Sequence, residues 1–95
     1  MPAYLIADVS VENQDIYAEY RRQVLPLIER YGGRFIVRGG AHETLEGAWR
    51  PARLVVIEFP SMAVLKEWYR SPEDEKLIAL RQTASRGSLV AVEGA

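Results

Sequence analysis

Two stretches of this chain repeat one another in order, and that repetition restricts the fold more than any other feature. Tyr4-Leu5-Ile6-Ala7-Asp8-Val9 aligns with Leu54-Val55-Val56-Ile57-Glu58-Phe59, fifty positions later. Ile16-Tyr17-Ala18-Glu19-Tyr20-Arg21 aligns in the same way with Leu65-Lys66-Glu67-Trp68-Tyr69-Arg70. Each copy begins as an apolar run of strand length and continues as a stripe at helical spacing. An acid, Asp8 or Glu58, stands at the same place in each.

The punctuation between these runs sets the elements. Asn13 is a helix cap, and Ile16, Tyr17, Tyr20, Val24, Leu27, Ile28 and Tyr31 follow it along one helical face. Gly32-Gly33 ends that helix with a left-handed cap. Pro26 lies inside it, lacks a backbone donor, and predicts a kink near Arg22. Arg34 to Arg38 reads as a second strand, ended by Gly39-Gly40. A hairpin is expected next, with His42 to Leu45 rising and Glu46-Gly47 at the tip. The third main strand is Arg53 to Phe59. Ser61 caps a helix carrying Val64, Leu65, Trp68 and Tyr69. Ser71-Pro72-Glu73-Asp74 starts another, with a cap, a proline at the first helical position and acids in the first turn. It reaches Thr83, and Arg86-Gly87 turns into a last strand from Ser88 to Glu93.

The order is βαββαβ with an inserted hairpin strand, an α+β fold of the ferredoxin-like plait type, in one domain over residues 1–95. The first and third main strands are expected side by side and parallel at the sheet centre, with both helical regions on one face. A plait with a wet second face should alternate apolar and polar residues. Leu5-Ile6-Ala7 and Leu54-Val55-Val56-Ile57 are apolar on both faces. The second face therefore needs a cover, and a second copy supplies the simplest one. A homodimer packed through the sheet face is expected, with Trp49 as a further dimer contact.

Composition narrows the function classes. Hydrophobic residues make up 48% of the chain and charged ones 26%, a globular balance. A net charge of −1 with no basic run leaves no electrostatic footprint for nucleic acid or an anionic membrane. Zero cysteines remove disulfides, thiolate metal sites and a cysteine nucleophile. Neither a signal peptide nor a membrane span is legible, so a cytoplasmic location is the expectation.

Several side chains are candidates for chemistry. If the central strands are adjacent and parallel, Asp8 and Glu58 lie about 4.8 Å apart across the ladder. Carboxylates that close raise one pKa, which creates a general base or a proton-sharing pair. The alternative is that each acid is solvated or paired with an arginine. Arg38, before the mobile pair Gly39-Gly40, can grip a ligand carboxylate with two prongs, or else pair with Asp8 or Glu58. His42 is the lone histidine, a candidate acid or base near the pocket mouth and a poor metal ligand by spacing. Tyr17, Tyr20, Trp68 and Tyr69 either fill the core or line a pocket in which a ring stacks on a flat ligand. No metal site, no phosphate-cradling glycine loop and no nucleophile elbow is present. Haem would need an axial ligand that only His42 supplies, and no cofactor is called for.

Taken together, Tyr4-Leu5-Ile6, Gly32-Gly33-Arg34, Arg38-Gly39-Gly40, Leu45-Glu46-Gly47, Val55-Val56-Ile57-Glu58-Phe59-Pro60-Ser61 and Trp68-Tyr69-Arg70-Ser71-Pro72-Glu73 resemble the domain of unknown function 1330 family. The resemblance covers nearly the whole chain. It implies the dimeric α+β barrel superfamily, whose members share this plait and its sheet-to-sheet dimer. They include cofactor-independent monooxygenases, lactone isomerases, haem-dependent enzymes and proteins of no known activity. Members commonly carry an aromatic residue where this chain has Asp74, a departure that puts any family ligand contact there in question. The expected function is binding of a small organic molecule between sheet and helices, in a pocket bordered by Asp8, Arg38, Glu58 and Trp68. A cofactor-independent enzyme of monooxygenase or isomerase type is the leading class. A non-catalytic binding or structural dimer is the alternative.

Overall fold

The expected caps set the boundaries of the helices. In a computed structural model, which describes all 95 residues, strand β1 covers Ala3–Val11, helix α1 Gln14–Arg30 and strand β2 Arg34–Arg38. Strand β3 covers Leu54–Phe59, helix α2 Met62–Tyr69, helix α3 Pro72–Ala84 and strand β4 Ser85–Glu93. Asn13 Oδ1 accepts from the Ile16 N–H at 3.0 Å, and the Ser61 and Ser71 hydroxyls accept from Val64 and Asp74. These bonds satisfy donors that the first turn of a helix otherwise leaves open. Gly32 follows α1 at φ +76°, the conformation the glycine pair predicts. Helix α1 runs unbroken through Pro26, because its inner face is held by the buried Tyr17, Val24, Leu27 and Ile28. No helix is long and apolar enough to cross a membrane.

The sheet order is β2-β3-β1-β4, which places β1 and β3 side by side as expected. Their direction differs from the expectation: β1 and β3 are antiparallel, with Tyr4 opposite Glu58 and Asp8 opposite Leu54. Connectivity explains this. Chain β3 returns from β2 antiparallel to it and slots between β2 and β1. The half-repeat is therefore related by a twofold turn across the ladder, not by a sideways shift. Equivalent residues of the two copies sit at opposite ends of the pair.

Two further expectations fail. Residues 39–53 carry no strand, so the inserted hairpin is absent, and the segment is an irregular loop tied down by side chains. Strand β4 starts at Ser85, directly after α3, so Arg86-Gly87 lies within the strand rather than in a turn. Gly87 is opposite Val9, where an added Cβ would collide with the Asp8 carbonyl oxygen. That contact leaves no room for a side chain.

Alternation along the central strands divides the sheet cleanly. Ala3, Leu5, Ala7, Val9, Val55, Ile57 and Phe59 are buried under the helices with Leu65, Trp68 and Leu77. Tyr4, Ile6, Leu54 and Val56 occupy the opposite face and are only half-buried. Register puts Ile6 opposite both Val56 and Val90, and Tyr4 opposite Val92. Val90 is 58% exposed and Val92 43%. The second face is thus an open apolar surface built from three strands.

Candidate functional site

One open space in the molecule lies under the helices. A cavity of about 320 Å³ is walled by Leu5, Ala7, Val55 and Ile57 of the sheet, by one face of α1, and by Trp68, Asp74, Ile78 and Arg81 of α2 and α3. Its volume is at the lower end of the range for small-molecule sites. Most of the wall is apolar, and the polar groups that interrupt it are one carboxyl, five guanidiniums, three tyrosines and the Trp68 indole.

A distortion in β2 brings Arg38 to this wall. The β2–β3 register slips between Phe35 and Val37, leaving Ile36 as an extra residue. Without a bulge, Phe35 and Arg38 would point to opposite faces, since they are an odd number of residues apart. With it, Phe35 is opposite Ile57 and Arg38 opposite Val55, and both face the helices. The Arg38 guanidinium lies 4.2 Å from the Phe35 ring centroid. Arg53 arrives by a different device. Gly39, at φ +68°, donates its N–H to the Leu54 carbonyl at 2.8 Å. An added Cβ at Gly39 would stand 2.6 Å from Arg53 Nε, so its bareness makes room for that side chain. Gly39 therefore supports the wall without forming part of it.

Four of the five guanidiniums in the wall share one property, the exception being Arg22. Arg21 and Arg53 lie 5.8 and 5.9 Å from the Tyr17 ring, and Arg81 lies 6.0 Å from that of Tyr20. The ion pairs of the molecule are Arg22–Glu19, Arg30–Glu73, Arg34–Glu58 and Arg86–Glu12. Arg21, Arg38, Arg53 and Arg81 appear in none of them. Aromatic faces lie beside these four cations, and no carboxylate forms an ion pair with them.

Asp74 faces the same space from the third residue of α3. It is 1% exposed, and both its carboxyl oxygens lack a hydrogen-bond partner. Burial pushes its pKa up to about 7, against the pull of Arg81. Trp68 Nε1 is the other buried side-chain group without a partner. The Ser71 hydroxyl ties the two residues together, donating to the Trp68 carbonyl at 2.8 Å and accepting from the Asp74 N–H at 3.1 Å. Trp68 itself is fixed by stacking on Phe59, ring centroids 5.1 Å apart. Burial also raises the Tyr20 hydroxyl pKa far above its usual value.

Of the residues singled out in the sequence, Arg38, Trp68, Tyr17, Tyr20 and Tyr69 line the cavity. Asp8, Glu58 and His42 do not. Both acids point to the open face of the sheet, and four residues of strand, roughly 14 Å, separate their ladder positions. They form no pair. Asp8 accepts from Trp49 Nε1 and from the Ala52 N–H, each at 2.9 Å, which holds its carboxyl below the usual range. Trp49 is thereby engaged within its own chain. Glu58 accepts from Arg34 Nε at 2.8 Å, and that bond lowers its pKa. His42 sits in the loop between the Gly40 and Pro51 carbonyls, at 3.4 and 2.9 Å. The acids are thus held by partners of their own, and the arginine that meets Glu58 is Arg34, not Arg38. Sequence reasoning passed over Arg81, and it met Asp74 only as a first-turn acid and as a departure from the family's aromatic residue, not as a site candidate.

Solved structures of similar shape carry the same fold. A protein of unknown function from Rhodopseudomonas palustris is 23% identical, with 99% of this chain and 82% of that one covered and a TM-score of 0.81. A dimeric ferredoxin-like protein of unknown function from Jannaschia sp. CCS1 is 15% identical, covered over 99% of this chain and all of that one, at TM-score 0.74. SnoaB, a cofactor-independent oxygenase from Streptomyces nogalater, is 8% identical, with 99% and 93% covered, at TM-score 0.67. No curated protein sequence matches the chain. The likenesses establish a ferredoxin-like, dimeric α+β barrel fold. The model of the domain of unknown function family DUF1330 matches residues 2–95, and the chain belongs to that family.

Proposed function

We propose that this protein binds a small, flat organic anion, a ring compound bearing a carboxylate, in the cavity between sheet and helices. The observation that carries this reading is the set of four guanidiniums held on aromatic faces without a carboxylate partner, around an otherwise apolar space. An apolar wall stabilises the ring by burial, at roughly 25 cal/mol per Å². Arginine forks recognise a planar carboxylate by paired hydrogen bonds. Arg21 and Arg38 are exposed at the mouth, while Arg81 is buried. The acid group of the ligand enters between the outer arginines, and the ring lies inward against Trp68.

The dimeric Jannaschia protein and the open apolar face together support association of two copies, sheet against sheet, with Ile6, Val56 and Val90 at its centre. A second reading, in which the bound ring is the substrate of a cofactor-independent oxygenation or proton transfer, draws on the likeness in fold to SnoaB.

Titration calorimetry with 2-naphthoate and 2-naphthamide tests the binding reading. The carboxylate should bind, the amide at least tenfold more weakly, and Arg38→Gln should reduce the difference. Equal affinity for acid and amide, or no binding of either, overturns it. Oxygen uptake with hydroxylated naphthoates then separates the enzyme from the binding module.

A further inference from the structure

We infer that Asp74 and Trp68 form the inner end of this site, a donor–acceptor pair that selects a ring hydroxyl and removes its proton. The inference rests on the binding reading above and narrows its ligand to a hydroxylated aromatic acid, with hydroxyl and carboxylate at opposite ends.

Buried polar atoms in folded proteins nearly always find partners, and those that do not call for an explanation. Here the exceptions number three atoms: the two oxygens of Asp74 and Nε1 of Trp68. All three belong to residues of one cavity wall, and one serine hydroxyl joins their backbones. An indole N–H only donates, and a carboxylate only accepts. A ring hydroxyl is a group that meets both needs with one oxygen: it accepts from the indole and donates to the carboxylate. An ether lacks the proton, and a ketone lacks the donor.

The surroundings favour the transfer itself. Arg81 of α3 and Tyr20 of α1 stand near the Asp74 carboxyl, and Trp68 of α2 lines the same cavity. From the sheet side Arg38 and Arg53 reach the same cavity. Among the wall's charged residues Asp74 is the lone acid. In the step, the ring O–H bond breaks, its proton bonds to a carboxylate oxygen of Asp74, and the electron pair stays on the ring oxygen. No oxidant or reductant is required. The negative charge moves from a carboxylate without hydrogen-bond partners to a ring oxygen beside the Trp68 N–H and the Arg81 cation. A ring anion of this kind is electron-rich, the state in which an aromatic ring reacts with an electrophile.

The experiment uses 6-hydroxy-2-naphthoate, whose ionised hydroxyl absorbs at longer wavelength, and its methyl ether 6-methoxy-2-naphthoate. At pH 8 the free hydroxyl is largely protonated. On binding to the wild-type protein the naphtholate band should appear without net release of protons to buffer. Asp74→Asn should bind the hydroxyl probe at least tenfold more weakly and leave it in its neutral form. The same variant should bind the methyl ether at least as tightly as the wild type does, because an amide can donate to an ether oxygen and a carboxylate cannot, which shows that the fold and the outer arginines are intact. A naphtholate band of equal strength in Asp74→Asn, or a bound probe that stays neutral in the wild type, overturns the inference. If neither compound binds the wild type, the binding reading fails and this one falls with it. If the ether binds and the hydroxyl probe stays neutral, only the role of Asp74 is lost.

Discussion

The two faces of the central sheet carry acids in opposite circumstances. On the open face, Asp8 and Glu58 each meet donors suited to an anion, and both titrate below their ordinary range. Under the helices, Asp74 meets none and is held near neutrality. Partnered acids on a surface are what folding alone produces. A buried acid without partners opposes folding, and its persistence at the wall of a cavity points to a ligand. The acids that the repeat makes conspicuous have partners of their own, and the inconspicuous one lies in the cavity wall without any.

The largest expected effect would come from charging the open face. Ile6 lies at its centre, flanked by Val56 and Val90, and Ile6→Glu would bury a carboxylate without a partner in a sheet-to-sheet contact. A cost of roughly 3 kcal/mol for each of the two copies, about 6 per dimer, lowers the association constant by more than ten-thousandfold. Light scattering should find a dimer for the wild type and a 10.7 kDa species for the variant. A wild-type monomer at the same concentration would make the open face mere surface and leave the comparison with one functional side.

Next comes Asp74→Asn, which sharpens the contrast directly. The folded carboxyl titrates near 7 and the unfolded one near 3.8, so the proton is held more tightly in the folded state. Wild-type stability should therefore fall as pH rises from about 4 to above 7, and the amide should remove that dependence. The variant should be more stable than the wild type by up to about 4 kcal/mol at pH 8, with the gain vanishing near pH 4. Urea denaturation at both values measures it. A variant less stable at pH 8 would mean that Asp74 has a hidden partner, and the two faces would then be alike.

These outcomes follow from features of unequal legibility in the sequence. Helix starts were readable because capping is local: Asn13, Ser61 and Ser71-Pro72 each act within three residues. The apolar runs of β1 and β3 announced a sheet with two apolar faces because alternation needs only the strand itself. Strand direction was not readable from the repeat, since a sideways shift and a twofold turn give the same alignment of Asp8 with Glu58. The loop over residues 39–53 lacked any alternation strong enough to decide between hairpin and coil. Arg38 reaches the cavity through a bulge at Ile36 that nothing in Arg34-Phe35-Ile36-Val37-Arg38 signals. Asp74 was disguised as a first-turn acid, a position where helices favour carboxylates for their own reasons. Its one trace was the departure from the aromatic residue that the family resemblance led one to expect, which marks a wall position.

The open face itself offers a finer test, because its two acids are held differently. Asp8 uses both oxygens, one for Trp49 Nε1 and one for the Ala52 N–H. Asp8→Asn keeps one acceptor and turns an amide donor toward the other N–H, so the indole or the loop must let go. Glu58 receives Arg34 through Oε1 alone, and Glu58→Gln can keep that acceptor while losing only its charge. Both carboxyls titrate lower in the folded chain than in the unfolded one, so each adds stability above the unfolded range and loses it as pH falls through the lowered range. At pH 7 both amides should therefore destabilise, with Asp8→Asn showing the larger shift in denaturation midpoint and a displaced Trp49 indole proton resonance. Glu58→Gln should be the mildest change of all, consistent with a pair that water screens. A stabilised Asp8→Asn or Glu58→Gln would place that acid in the condition assigned to Asp74, and the division between the two faces would no longer separate structure from function.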